Sequence, residues 1–387
     1  MSFNYVAINF IDLFFFSEFN MKYYFILFFT LISISILFSQ NTNNEMIDTT
    51  LSQFEINFQD SINMLNKQNQ KITDSRSSYN KGLEFLNNNN ISDAILEFNK
   101  AIEIDSMFIS AYISRGKCFE LEKHDLAISD YRKAYLLDAS NLDLLYKIGE
   151  IQALTDKNRA IQTYDSILDI STNAFRAHYE IAVLLYIQGN IEDAISSFTS
   201  SLMLQEDARS FNDRGSCYRK LGEYDKAIDD YLSAINLDSD LAFVYNNLAS
   251  TYRKQDKTEK ALKNYTLAIE IDNNYAMAYN NRGSLYLDLG DNNKSLSDID
   301  KAISLDLEYP PAYNNKGVIF YKKKKYTEAI DYFNKAIELN KNYAKAYLNR
   351  GISRQMIRDE DGACSDWEEA YRLGIKLAKK YLKNDCE

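Results

Sequence analysis

Small residues recur along the chain at Gly82, Gly116, Gly149, Ala182, Gly215, Ala249, Gly283, Gly317 and Gly351, in steps of 33 or 34. About twelve positions after each comes a second small residue: Ala94, Ala127, Ala160, Ala194, Ala227, Ala261, Ser295, Ala329 and Ala363. Four further on stands a large apolar group: Phe98, Tyr131, Tyr164, Phe198, Tyr231, Tyr265, Ile299, Phe333 and Trp367. Spacings of three and four put such groups on one helical face, so each period predicts two antiparallel helices. The small residues let the two backbones approach, and the large group is expected to fill the space between neighbouring units. Gly189, Gly222 and Gly290 stand where the first helix must stop, as a left-handed C-terminal cap requires. A unit of this length cannot bury its apolar face alone, so stability must come from stacking on its neighbours.

FNDRGSCYRKLGEYDKAIDDYLSAINLD (Phe211 to Asp238) and YNNKGVIFYKKKKYTEAIDYFNKAIELN (Tyr313 to Asn340) carry the pattern most fully. They resemble the tetratricopeptide repeat (TPR) family, which implies an all-α, right-handed α-solenoid of about nine helix-turn-helix repeats with a C-terminal capping helix. The repeats fall near 75–108, 109–141, 142–174, 175–207, 208–241, 242–275, 276–309, 310–343 and 344–374, within a solenoid of 75–387. The family's proline between repeats is replaced by Asp-Ser, Asp-Asn or Asn-Lys. Repeats two and three are one residue short in the inner turn. The third and fourth repeats have weak core positions, including Gln152 and His178.

Residues 40–74 read as a polar linker with an amphipathic helix, in which Leu51, Phe54, Phe58, Ile62 and Leu65 form either a cap or a tether. At the other end Ile375, Ala378, Tyr381 and Leu382 share the face of a helix that should cover the last repeat. The run MKYYFILFFTLISISILFSQ makes 21–39 a signal peptide, with an uncleaved membrane anchor as the alternative. Residues 1–20 lack the basic charge of a signal n-region and read as a mis-annotated extension. Export through the Sec pathway is therefore expected, to a periplasmic, cell-envelope or secreted location, with inner-membrane anchoring by 21–39 as the other outcome.

The net charge of -11 argues against nucleic acid as a partner, because phosphate contacts need a basic surface. No phosphate-binding glycine loop, zinc-protease motif or nucleophile elbow occurs, so neither an enzyme nor a cofactor is expected. The two histidines, His124 and His178, read as a surface residue and a core substitute. Asp and Glu read as solubilising charge at helix ends and outer faces. The four cysteines lack paired CxxC spacing, so no metal site is expected. Cys118 and Cys217 share one small-residue slot and read as buried thiols. Cys364 and Cys386 are candidates for a disulfide in an exported protein, the alternative being two unpaired thiols. The segment GACSDWEEAYRLG with a terminal Cys also resembles the ending of secreted bacterial TPR proteins.

In TPR arrays the first helices line a concave groove, and the resemblance implies a protein or peptide partner there. Asn212, Asn246, Asn280 and Asn314 form one row; Asn247, Asn281, Asn315 and Asn349 form the next, opened by Asp213. Carboxamides both donate and accept, so such rows are expected to hold the backbone of an extended peptide. Ser216, Arg219 and Lys220, then Ser250, Arg253 and Lys254, with Ser284 beyond, add a basic stretch suited to an acidic partner. The working expectation is a non-catalytic interaction scaffold. Its alternatives are a membrane-anchored assembly scaffold of the bacterial cell envelope, or an accessory subunit of a separately encoded enzyme or sensor.

Overall fold

A computed structural model describes residues 44–386, all helix and turn, in two compact units that meet in sequence between Leu121 and Glu122. The expected extension and signal peptide lie outside the described residues, as do the side chains of Leu51 and Phe54.

The first unit holds α1 (Asn44–Asn87), α2 (Ile91–Ile104) and α3 (Ile109–Phe119). The expected linker helix and the first helix of the first repeat are one uninterrupted helix, α1. Of the expected apolar face, Leu65 is exposed, while Phe58 and Ile62 are half-buried. Packing begins at Ser75 and Gly82, where α2 crosses α1.

The second unit begins with α4 (His124–Leu137) and continues as seven helical hairpins. These are α5 (Asp143–Ala153) with α6 (Lys157–Ile170), α7 (Phe175–Gln188) with α8 (Ile191–Leu204), and α9 (Ala208–Leu221) with α10 (Tyr224–Leu237). Next come α11 (Ala242–Lys254) with α12 (Thr258–Ile271), and α13 (Ala276–Asp288) with α14 (Asn292–Leu305). Last are α15 (Pro310–Lys322) with α16 (Tyr326–Leu339), and α17 (Ala344–Met356) with α18 (Glu360–Arg372), closed by α19 (Ala378–Asp385). From α7 onward, successive first helices touch one another directly as well as their own partners. The array therefore presents a continuous first-helix face.

Each hairpin closes on a large apolar group set against a small residue, a ring in every case but Ile299 against Gly283. A Cβ added to Gly317 would sit 2.5 Å from the Phe333 ring, and at Gly149 it would sit 2.4 Å from Tyr164. Gly82 meets Phe98 and Gly351 meets Trp367 in the same way. The large group thus packs first within its own hairpin, which corrects the expectation that it fills the gap between units. Geometry explains the change: a ring four residues past the second small residue points back at the helix across the hairpin.

Two devices turn the chain. Gly189, Gly222 and Gly290 take positive φ at the ends of first helices. Asp256, Lys324 and Arg358 adopt the same left-handed conformation with side chains attached. Between hairpins, the missing proline is replaced by a carboxylate or amide that caps the next turn. Asp238 accepts from the Asp240 N–H at 3.0 Å, Asp272 from Asn274 at 2.9 Å, and Asn340 from Asn342 at 2.9 Å.

At the C-terminal end, Trp367 is fully buried and stacks on Tyr381 of α19 with centroids 5.0 Å apart. A disulfide joins Cys364 to Cys386, 22 positions apart, and fixes α19 over the last hairpin. Cys217 is buried, and burial pushes its thiol up to about 12, whereas Cys118 is only half-buried, contrary to expectation.

Gly317→Ala forces a methyl into the Phe333 ring and should destabilise the protein by roughly 1–3 kcal/mol. Lys324→Gly removes the strain of a side chain at φ 61° and should stabilise it by about 1 kcal/mol. Thermal melts of the two variants check both signs; a Gly317→Ala protein as stable as its parent refutes the ring-on-glycine account.

Candidate partner-binding face

The first-helix face of the second unit is built by polar residues that serve the scaffold before they serve a partner. Asn212, Asn246, Asn280 and Asn314 are buried, each at most 5% exposed. A buried carboxamide must find partners, since an unmet donor or acceptor costs about 1–3 kcal/mol. The second row supplies them. Asn247 Nδ2 donates to Asn212 Oδ1, Asn281 to Asn246, Asn315 to Asn280 and Asn349 to Asn314, every one at 2.9 Å. Within a helix the buried amide donates onward: Asn280 Nδ2 to Asn281 Oδ1 at 3.3 Å, and Asn314 Nδ2 to Asn315 Oδ1 at 3.4 Å. Asn246 Nδ2 turns instead to Met277 Sδ at 3.9 Å.

The rows therefore form a ladder between neighbouring hairpins, and the buried row cannot grip a peptide backbone as expected. The half-buried second row keeps one N–H and one lone pair per residue for other partners. The ladder starts at Asp213, which accepts from the Tyr179 hydroxyl and from Asn212 Nδ2, both at 2.9 Å. Burial raises the Asp213 carboxyl above the usual range, and these two hydrogen bonds pull the other way. In the first unit, the Tyr79 hydroxyl and Ser114 Oγ lie 3.3 Å apart in the same two slots.

The serines are also engaged. Ser216 Oγ lies 3.1 Å from the Tyr231 hydroxyl, and Ser250 Oγ lies 3.0 Å from that of Tyr265. Arg253 donates to Ser284 Oγ at 3.2 Å and pairs with Asp288. Its charge is thus already balanced by a carboxylate. Arg219 differs: it is half-buried, and no carboxylate pairs with it among the described residues. Its charge is felt at the Tyr231 and Tyr265 hydroxyls, which it lowers against the larger effect of their burial. Lys220 is exposed, its ammonium 4.9 Å from the Tyr186 ring centroid, and Lys254 is exposed. Repeats five and six thus bring Arg219, Lys220 and Lys254 to one face as cations free of carboxylates, and remove Arg253 from that set.

A second polar layer runs inside the hairpins and was missed by reading acidic residues as surface charge. Asp230, Asp298 and Asp366 are buried, and each receives a two-pronged guanidinium: Arg214 at 2.9 and 2.7 Å, Arg282 at 2.8 and 2.9 Å, Arg350 at 2.9 and 2.6 Å. The third nitrogen reaches the preceding hairpin, at Thr199, Thr266 and Asn334. The signal was present in the sequence: Arg directly before the first small residue and Asp directly before the large apolar one, always sixteen apart.

His178 is half-buried in its aromatic slot, and burial lowers its imidazole below the usual value. Among the described residues no cluster of three His, Cys, Asp or Glu is placed to hold a metal ion, and no helix is long and apolar enough to cross a membrane.

Family models described as tetratricopeptide repeat match residues 75–106, 206–274, 276–309 and 310–343. Tetratricopeptide repeat protein 6 of Homo sapiens is 25% identical over 162 residues, covering 41% of this chain and 31% of its own length. Anaphase-promoting complex subunit cut9 of Schizosaccharomyces pombe is 28% identical over 183 residues, covering 42% of this chain and 26% of its own. The matched part of the chain thus spans about a third or less of these curated relatives. The solved APC/C hetero-tetramer Cut9–Hcn1 superposes with a TM-score of 0.56 at 14% identity, over 81% of this chain and 76% of that one, a likeness of fold.

If the ladder joins neighbouring hairpins, Asn314→Ala strands the Asn349 donor and should destabilise by roughly 1–3 kcal/mol. Hydrogen exchange should quicken in α15 and α17 before it does in α9. Uniform quickening, or none, contradicts the ladder.

Proposed function

We propose, from the premise that this chain belongs to the tetratricopeptide repeat family, that it is a non-catalytic scaffold holding an acidic protein or peptide segment against its first-helix face. The observation that carries this reading is Arg219: a half-buried guanidinium without a carboxylate on a protein of net charge -11. An arginine so placed favours an incoming carboxylate, which it can meet with two parallel hydrogen bonds. Lys220 and Lys254 extend the positive stretch along successive first helices. The spare N–H groups of Asn247, Asn281, Asn315 and Asn349 offer weaker, sequence-tolerant contacts beside it. Shared architecture with an assembly subunit supports the scaffold class, while the acidic preference rests on these side chains alone.

The same reading places the protein outside the reducing cytoplasm, as an exported chain. Support comes from the Cys364–Cys386 disulfide, a bond that persists in oxidising compartments, and from the apolar run at 21–39.

The test is affinity capture by residues 41–387 from the exported fraction of the source cell, repeated with Arg219→Glu/Lys254→Glu. An acidic partner should be retained by the parent and bound roughly tenfold or more weakly by the variant, the cost of reversing a buried charge contact. Equal retention by a variant with unchanged circular dichroism refutes the acidic groove. Fractionation of the same cells that finds the chain cytoplasmic, with four free thiols, refutes export.

A further inference from the structure

The third repeat departs from repeats five to seven at one slot, beside which a pocket lies. Three places after the first small residue stand Tyr218, Tyr252 and Tyr286, and a lysine from the next helix lies over each ring. Lys226 is 5.2 Å from the Tyr218 centroid, Lys260 is 5.3 Å from Tyr252 and Lys294 is 5.3 Å from Tyr286. In α5 that slot holds Gln152, and the counterpart of the lysines is Arg159, directly before Ala160. The ring is missing, so Arg159 has no aromatic face to cover, and a cavity of about 350 Å³ lies there.

Arg132 and Lys133 of α4 line the same cavity as Arg159. None of the three takes an ion pair among the described residues, although arginines elsewhere in this acidic chain are held by aspartates. Asp125 is the carboxylate on the wall, which leaves two net positive charges, three minus one. Gln152 is 4% exposed. Its Oε1 accepts from Thr163 Oγ1 at 2.6 Å, while its NH2 group meets no acceptor among the described residues. Gln152 lines the pocket beside these cations, and its NH2 group can donate to something with acceptor oxygens there.

We propose that this cavity binds the phosphate group of a small phosphorylated molecule. Two guanidinium forks and an ammonium match a dianion better than the single charge of a carboxylate. The Gln152 amide completes the donor set. The volume falls at the lower end of small-molecule sites, and Ile128 and Leu136 give the organic part apolar walls. The site lies among α4, α5 and α6, away from the Arg219 stretch, so it stands whether or not the first-helix face binds an acidic partner.

Calorimetric titration of the full chain with inorganic phosphate and pyrophosphate at low ionic strength tests it. Saturable binding with one site is expected, tighter for pyrophosphate. It should weaken roughly tenfold or more in Arg132→Ala/Arg159→Ala, both exposed positions whose loss leaves the core intact. Gln152→Tyr introduces the ring found in repeats five to seven, fills the cavity and gives Arg159 a face to cover; it should abolish binding without lowering the melting temperature. Lys341→Ala, remote and exposed, should leave the titration unchanged. Absence of saturation at millimolar pyrophosphate overturns the site. So does binding that survives Gln152→Tyr or the double arginine variant, because the anion would then be held elsewhere.

Discussion

The closest constraint in this molecule is steric: a large apolar group on the second helix of each hairpin lies against a glycine or alanine of the first, and at Gly149, Gly317 and Gly351 a ring leaves no room there for any side chain. Gly149, Gly317 and Gly351 set the distance between their helices at near-backbone contact, and that distance fixes how far the polar rows on the outer side stand from the next hairpin. Because no hairpin has enough apolar surface to fold alone, the same close approach must recur at every step for the array to hold. Positive-φ turns and aspartate-capped connections follow from it, since the chain must reverse within a few residues to bring ring and glycine opposite each other.

On that apolar frame lie two layers of buried polar groups with different tasks. The aspartate–arginine pairs sit within hairpins and are nearly dry, so their net energy is small against a hydrophobic replacement. Their two-pronged geometry admits a single alignment of the two helices, which makes them locks on register. The amides work between hairpins, where each donates in one direction along the array and accepts from the other. Such chains of hydrogen bonds polarise one another in a low-dielectric interior, so the ladder couples hairpins that do not touch. The run from Asn349 stops at Asn246, which turns to Met277, and the remaining rung from Asn247 ends at Asp213, where the acceptor is a carboxylate and the donor a phenol.

The repeat period, the helix pairs and the terminal cap were legible because each rests on spacing, and spacing survives translation into three dimensions. The long helix α1 was half legible: Phe58, Ile62 and Leu65 show helical periodicity, but periodicity cannot say whether a face finds a partner. The asparagine rows were placed on the first helices, but the part the buried row plays between hairpins was not seen. An amide that faces the neighbouring helix and one that faces solvent obey the same periodicity, and only the 2.9 Å contacts between hairpins separate them. Asp230 and Asp298 escaped notice for a related reason, because an acidic residue reads as exposed until its arginine is found sixteen places earlier. Gln152 was visible as an oddity in the core, and its meaning depended on the lysine-over-ring contacts of repeats five to seven, which its own repeat lacks.

The arginine locks occur in α9, α13 and α17, and the hairpins between them carry Leu248 and Lys316 in the same slot. Since the third nitrogen of each lock reaches back to Thr199, Thr266 or Asn334, a locked hairpin needs a particular predecessor. The unlocked hairpins answer differently, Lys316 taking Asp300 of the hairpin before it. Junctions therefore alternate, and the grammar of this stretch is a doublet. Excising one hairpin would set Arg282 against Leu232, whereas excising two would restore a hydroxyl or amide at the seam. Growth and shortening of the array are constrained to even steps, by the chemistry of its junctions and not by the fold of its repeats.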